Sequence, residues 1–417
     1  MAVTPEPTAP PQHVVSIDIL RGLTILLMIF VNDIAGVAGT PSWLKHFEPF
    51  DGNGMTLVDV VFPAFLFIVG LALPLAFRNR ERRGEKTGSM LRHVLTRTMS
   101  LLIIGVLMAN SDDISTHGVI NPNLWTLLMY TGVFLVWVYW PFDREKQGKT
   151  RRLLRLTGLL LILITAVLYR ADDVSGWFQL RPRWWGILGL IGWAYLVAAI
   201  VYIVARGNRF VVLGGAAGLF AFYFVIKCGW LTQFDNLGPF IQLSCTLGSH
   251  PALVLLGAFM GLIFLPESTV RTHGQRAVWG IAYAVGLILA GWLLYLPHET
   301  YPCLIINKNM GTPPWCLVSA AMTAAALVAL YWQIDRKLDA GRAGIADLAG
   351  RNALFAYILA PFIYALFTFF ADLTDTTDLF TVLATPFAVG LGRAIALSLL
   401  VMALAARLSR RRIHLKI

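Results

Sequence analysis

The sequence predicts an all-α polytopic membrane protein of about twelve transmembrane helices with both termini cytoplasmic. Three observations predict it. The 417-residue chain is 57% hydrophobic and only 14% charged, where soluble domains carry about a quarter charged residues; its mean hydropathy is +0.68. Continuous apolar runs recur from Gly22 to Ala406, each close to the roughly 20 residues that cross a bilayer. The loops between those runs alternate in basic charge. A soluble protein is excluded because too few polar residues remain to cover a surface. A β-barrel is excluded because its segments would alternate rather than run continuously.

In chain order, spans are expected at about 17–38, 57–77, 94–110, 124–142, 153–169, 184–205, 210–229, 251–265, 277–296, 313–332, 351–370 and 385–407. One set of loops holds Arg78, Arg80, Arg82, Arg83, Lys86 and Arg92, then Arg144, Lys146, Lys149, Arg151, Arg152 and Arg155. It continues with Arg206, Arg209, Arg271, Arg276, Arg336, Lys337 and Arg342, and ends in Arg407, Arg410, Arg411, Arg412 and Lys416. The opposite set holds only Lys45, Arg170, Arg181, Arg183 and Lys308. Basic loops stay in the cytoplasm, so the net charge of +11 follows from topology and implies no nucleic-acid partner. Residues 1–16 are Pro-rich, lack Lys and Arg, and are expected to be disordered rather than a signal-peptide start. Residues 17–407 form a single transmembrane domain, and 408–417 a basic cytoplasmic tail. The cysteines Cys228, Cys245, Cys303 and Cys316 lack metal-binding spacing, so no metal is expected. A disulfide between Cys245 and Cys303 is left open.

Polar chemistry gathers outside the basic face. The connection "NDIAGVAGTPSWLKHFEPFDGNGMTLVDVVFP" sets Asn32, His46, Glu48, Asp51 and Asp59 between the first two spans. Asp18 and Arg21 lie one turn apart at the start of the first helix. They are either a structural ion pair or the lining of a polar path where Arg21 meets an anionic ligand, since charges inside a membrane need partners. Asn32 falls about three turns beyond Arg21, near the outer end of the same helix. Asp59 begins the second helix, where capping explains a carboxylate as readily as function does. Pro63 and Pro74 suggest kinks in that helix. His46 is the natural base for removing a proton from an amine or hydroxyl. Asn32 can orient its ring or donate to an oxyanion, and Glu48, Asp51 or Asp59 can fix its tautomer.

The blocks "SIDILRGLTILLMIFVN", "WLKH" and "DGNGMTLVDVVFPAFLFIVG", with the later "INKNMGTP", resemble the heparan-α-glucosaminide N-acetyltransferase family, whose bacterial relatives include NagX-like and DUF5009 proteins. The resemblance implies a transmembrane acyltransferase that takes an acetyl group from cytoplasmic acetyl-CoA, the donor substrate, to an amino sugar or related glycan on the far side. Carried over residue by residue, the family's active-site histidine falls on His46 and its helix-end asparagine on Asn32. Its T-x-x-D-x-V-F-P element falls on Thr56, Asp59, Val61, Phe62 and Pro63, and its INKN element on Asn307 and Lys308. His46 is then general base or transient acyl carrier, Asn32 holds the carbonyl oxygen or the ring, and Asp59 orients the pair. Asn307 and Lys308 close the outer site, while Asp18 and Arg21 face the donor. The family's LQRIA element reads "LGLIGWA" here, so its mid-helix polar–basic pair is absent. The setting is a bacterial inner membrane, with lipid around the helices and a homo-oligomer left open. A secondary transporter of a sugar or other small polar solute is the alternative, since spans and intramembrane polar residues suit a carrier too. No symmetric pair of Gly/Pro-broken helices supports it, and the polar signal is concentrated in the first two helices. A non-catalytic relative that scaffolds or binds lipid is a third reading.

Overall fold

A computed structural model describes residues 14–139, 141, 147–173, 176, 178–182, 184–227, 229, 231–237, 240–337 and 344–417. Residues 1–13 of the expected Pro-rich segment, and Cys228, lie outside the described residues. Helices stand at all twelve expected positions. The first six are α1 (Val15–Ile34), α2 (Val58–Arg82), α3 (Thr87–Ser111), α4 (Pro122–Trp137), α5 (Gln147–Leu168) and α6 (Gly186–Ala205). They are followed by α7 (Arg209–Lys227), α8 (His250–Ile263) after a π-helical turn over Ser244–Ser249, α9 (His273–Tyr295) and α10 (Pro313–Gln333). A short α11 (Ile345–Gly350) leads into α12 (Ala353–Thr374), and a short α13 (Leu379–Val382) into α14 (Phe387–Arg410). Among the described residues, ten helices are long and apolar enough to cross a membrane. The other two at expected positions are α4, with 16 residues, and α5, which opens on Arg151, Arg152 and Arg155. The all-α membrane architecture is therefore borne out.

Successive long helices run in alternating directions, so α1 begins, and α2 ends, at what is called here the Arg21 end. The connection carrying His46 lies at the opposite end. Local chemistry sets the helix limits. Asn121 caps α4 by accepting from the N–H groups of Asn123 and Leu124, with Pro122 at the first position, where a missing N–H costs nothing. Thr272 and Gln275 form a reciprocal capping box on α9. The N–H groups of Val15 and Ser16, which begin α1, donate to the Asp335 carboxylate at 2.9 and 3.1 Å. Beyond α14 the chain forms β4 (His414–Leu415), antiparallel to β1 (Val138–Tyr139). A second small ribbon pairs β2 (Asn236–Leu237) with β3 (Ile241–Gln242).

The α2–α8 pair is the closest-packed seam of the bundle. A Cβ on Gly70 would lie 1.8 Å from the Val254 carbonyl oxygen, and one on Gly257 would lie 2.0 Å from that of Phe67. Small residues let helices approach in lipid, where packing replaces the hydrophobic drive between them. The contact matters because α2 carries Asp59 and α8 carries His250. Replacing Gly257 by Val is expected to lower the thermal midpoint in detergent by several degrees, from overpacking of about 1–3 kcal/mol or more. Gly214→Val on α7, where a Cβ meets nothing within 4 Å, should shift the midpoint little.

Candidate active site

Asp59 is 1% exposed and supplies the centre of the site. Its Oδ2 accepts the N–H groups of Phe47 at 3.1 Å and Thr56 at 3.0 Å. Its Oδ1 stands 2.8 Å from Nδ1 of His46. Thr56 lies just ahead of α2, so the Asp59 carboxylate ties the chain entering the helix to the ring of His46. The Thr56 hydroxyl donates to the Lys45 carbonyl at 2.6 Å, and the Trp315 indole donates to the Asp59 carbonyl at 3.2 Å. One buried carboxylate thus shapes the loop on both sides of His46 and aims its ring.

Lys308 arrives from the connection between α9 and α10. Its ammonium lies 2.9 Å from Nδ1 and 3.2 Å from Nε2 of His46, and 3.8 Å from Oδ1 of Asp59. A carboxylate only accepts, so Nδ1 carries the proton toward Asp59 and Nε2 alone is left to accept from Lys308. Burial pushes the Lys308 ammonium below the usual lysine range, against the raising effect of Asp59. Asn307, 2% exposed, delivers Lys308 by clasping the opposite loop. Its amide donates to the carbonyls of Phe50 at 3.0 Å and Gly52 at 2.8 Å, and its Oδ1 accepts the Met310 N–H at 2.8 Å. Asn53 returns the clasp by accepting the Ile306 N–H at 3.0 Å.

His46 and Lys308 open onto a cavity of about 700 Å³ that is also lined by Trp184, Trp185, Phe240, Thr246 and His250. Asn32 lies elsewhere. It lines a neighbouring cavity of about 260 Å³ with Asp112, Tyr130, Tyr357 and Tyr364, and the two cavities share Trp184 and Ile187. Asn32 makes no hydrogen bond to the imidazole, and Glu48 and Asp51 are exposed and do not hold it either. Of the three candidate carboxylates it is Asp59 that holds the ring, because the Phe47 and Thr56 N–H groups fix it beside Nδ1. The disulfide left open in the sequence does not form: Cys245 keeps its thiol, which donates to the Met310 carbonyl at 2.9 Å.

Asp18 and Arg21 pair at 2.8 Å at the opposite end, where Arg351 comes within 3.7 Å of Asp18. Asp347 holds Arg351 with two bonds of 3.0 and 2.9 Å. Arg21 lines a cavity of about 390 Å³ with Arg80, His93, Arg97, Arg351 and Lys416. The guanidinium of Arg97 sits 4.7 Å over the Tyr195 ring, and its buried Nε has no hydrogen-bond partner among the described residues. Arg97 and Arg351 were missed in the sequence, although an arginine inside the apolar run of α3 is itself a signal. Also missed was Arg393 in α14, which donates to Asp33 through Nε at 3.0 Å, with Tyr364 as a second partner of that carboxylate.

The family described as "Domain of unknown function (DUF5009)" matches residues 13–230, which is over half of the chain. The chain belongs to the DUF5009 family. It is also similar to the heparan-alpha-glucosaminide N-acetyltransferase of Homo sapiens, 33% identical over 105 residues that make 25% of this chain and 15% of the human protein. The Mus musculus protein of the same name is 35% identical over 96 residues, 23% of this chain and 14% of its own length. The match therefore spans a small part of those relatives, and within that part the resemblance seen in the sequence is borne out. For this DUF5009 member the α1–α14 tie is structural. Replacing Arg393 by Gln strands the buried Asp33 and should cost about 3–5 kcal/mol, read as a lower thermal midpoint in detergent.

Proposed function

We propose that this protein is a transmembrane acetyltransferase that takes its acyl group from acetyl-CoA at the Arg21 end and passes it to the amine of an amino sugar or related glycan at the His46 end. The observation that carries this reading is an imidazole aimed by a buried carboxylate at a cavity of about 700 Å³, with a cationic cavity at the other end of the same helices. The excess of basic residues in the loops at the Arg21 end supports a cytoplasmic position for that end, and the membrane of this reading is a bacterial inner membrane. The activity in the names of the human and mouse relatives supports the same chemistry.

The donor suits the Arg21 end. CoA carries several phosphate charges, and Arg21, Arg80, Arg97, Arg351 and Lys416 offer charge-assisted donors to them. The unpaired Nε of Arg97 is such a donor already desolvated. From Arg21 to Asn32, α1 rises about 16 Å, a span suited to an extended pantetheine arm. Residues one turn apart on α6 join the levels: Leu188 and Ile191 line the cationic cavity, and Ile187 lines both upper ones.

With Nδ1–H committed to Asp59, Nε2 of His46 takes the proton of the acceptor amine as its nitrogen attacks the thioester carbonyl carbon. The carbonyl pair moves to oxygen. Lys308 stabilises that oxyanion, turning its ammonium from the ring toward it. Collapse breaks the C–S bond, and His46 returns the proton to the sulfur, leaving an amide and free CoA thiol.

His46→Ala should reduce acetyl transfer from labelled acetyl-CoA to glucosamine in membranes by about 10²–10⁴-fold; undiminished turnover removes His46 from the mechanism. Acetyl-CoA should raise the thermal midpoint of the purified protein by mass action. Arg97→Gln should shrink that shift while leaving any glucosamine-dependent shift in place.

A further inference from the structure

His250 begins α8, is 5% exposed, and lines the same cavity as His46. Its ring meets Phe62 edge-on at 5.4 Å and Trp315 at 6.4 Å. Trp315 is the residue whose indole holds the Asp59 backbone, so His250 belongs to the same wall as the acid–base pair. A neutral imidazole offers one donor and one acceptor, and buried polar side chains nearly always find partners. Among the described residues His250 has no hydrogen bond through either nitrogen, and its Nδ1 is fully enclosed. Thr246, four residues earlier and 3% exposed, likewise has no side-chain hydrogen bond among the described residues. It lies in the π-helical turn, a deviation that helices keep mostly at functional sites. Gln242, Thr246 and His250 all line the cavity, making a polar stripe along one side.

The cavity is also lined by the aromatics Trp184, Trp185 and Phe240, and the Trp185 indole donates to the Phe240 carbonyl. Trp185 also holds φ at 69°, the left-handed region that a bulky residue rarely adopts. Aromatic rings and unpaired polar side chains lining one cavity match a pyranose, whose ring faces are C–H and whose edge is hydroxyl. A simple apolar amine would leave His250 and Thr246 desolvated and unpaired.

We infer that His250 and Thr246 are the specificity-determining residues for the acceptor, hydrogen-bonding ring hydroxyls of a sugar stacked on the Trp184–Trp185 wall. This rests on the acetyltransferase reading and names how its acceptor is chosen. His250 acts by positioning the sugar, and the proton transfer remains with His46.

The test compares glucosamine with cyclohexylamine, an amine on a six-membered ring without hydroxyls, as acceptors for the full-length protein and for His250→Phe, His250→Gln and Thr246→Val. The wild type should prefer glucosamine. His250→Phe, which keeps the ring shape, should narrow the ratio of kcat/KM values by about tenfold or more, since a site built for a hydroxyl loses its discrimination with the partner. The loss should sit in KM for glucosamine, and His250→Gln should restore part of it. An unchanged ratio, or a loss in kcat alone, overturns the inference. Should His250→Phe not fold, Thr246→Val and His250→Gln carry the same comparison. A wild type that acetylates neither amine defeats the proposed function. The inference is then decided by tryptophan fluorescence: a saturable glucosamine response that weakens about tenfold in the variants supports it, and no response or an equal one overturns it.

Discussion

A carboxylate buried at the edge of a membrane span must find donors for both oxygens, because the cost of leaving it bare exceeds what any single contact returns. Asp59 meets that demand with the Phe47 and Thr56 N–H groups, His46 Nδ1 and, farther off, Lys308. These donors come from the loop before α2, which carries Asp59 itself, and from the distant α9–α10 connection. Satisfying one side chain therefore folds the outer loops into a single site. The imidazole ends in one tautomer facing a cavity as a consequence of electrostatics that the fold already requires.

Other buried charges obey the same rule. Asp33 is answered by Arg393 and Tyr364, Asp235 by Lys227 at 2.6 Å, and Asp18 by Arg21 with Arg351 close by. Against that background, two cavity-lining polar groups are informative because the described residues leave them unanswered: Nε of Arg97 and Nδ1 of His250. The first lies at the cationic end and the second at the aromatic end. Each has the chemistry suited to one of the two substrates an acetyl transfer from CoA to a sugar would need.

Backbone proximity supports both ends. The glycine contacts of α2 with α8 are matched at the other end by Gly22, whose added Cβ would lie 2.0 Å from the Ala346 carbonyl, and by Gly350, whose Cβ would lie 1.9 Å from that of Asp18. Those approaches press α11 onto α1, which brings Arg351 to Asp18. Small side chains thus set how near the charged and polar groups come, in a solvent that adds no hydrophobic force of its own between helices.

Composition and run length were enough to locate a helix at each of the twelve expected positions, with ends up to seven residues out, because a bilayer imposes a length and a polarity that a linear sequence displays directly. The pairing of Asp18 with Arg21, and the nomination of His46 with Asp59, were legible for a similar reason: one turn of helix, or one short loop, separates the partners. Tertiary structure alone decided that Lys308 reaches across to the His46 ring, that Asn307 serves as the clasp that brings it, and that Asn32 faces a neighbouring cavity instead of the imidazole. It also decided that Cys245 does not pair with Cys303 and that His250, at the start of α8, lines the same cavity as His46. Those outcomes depend on which helices stand side by side, and helix adjacency in lipid is set by packing and by the pairing of buried charges, neither of which has a period along the chain.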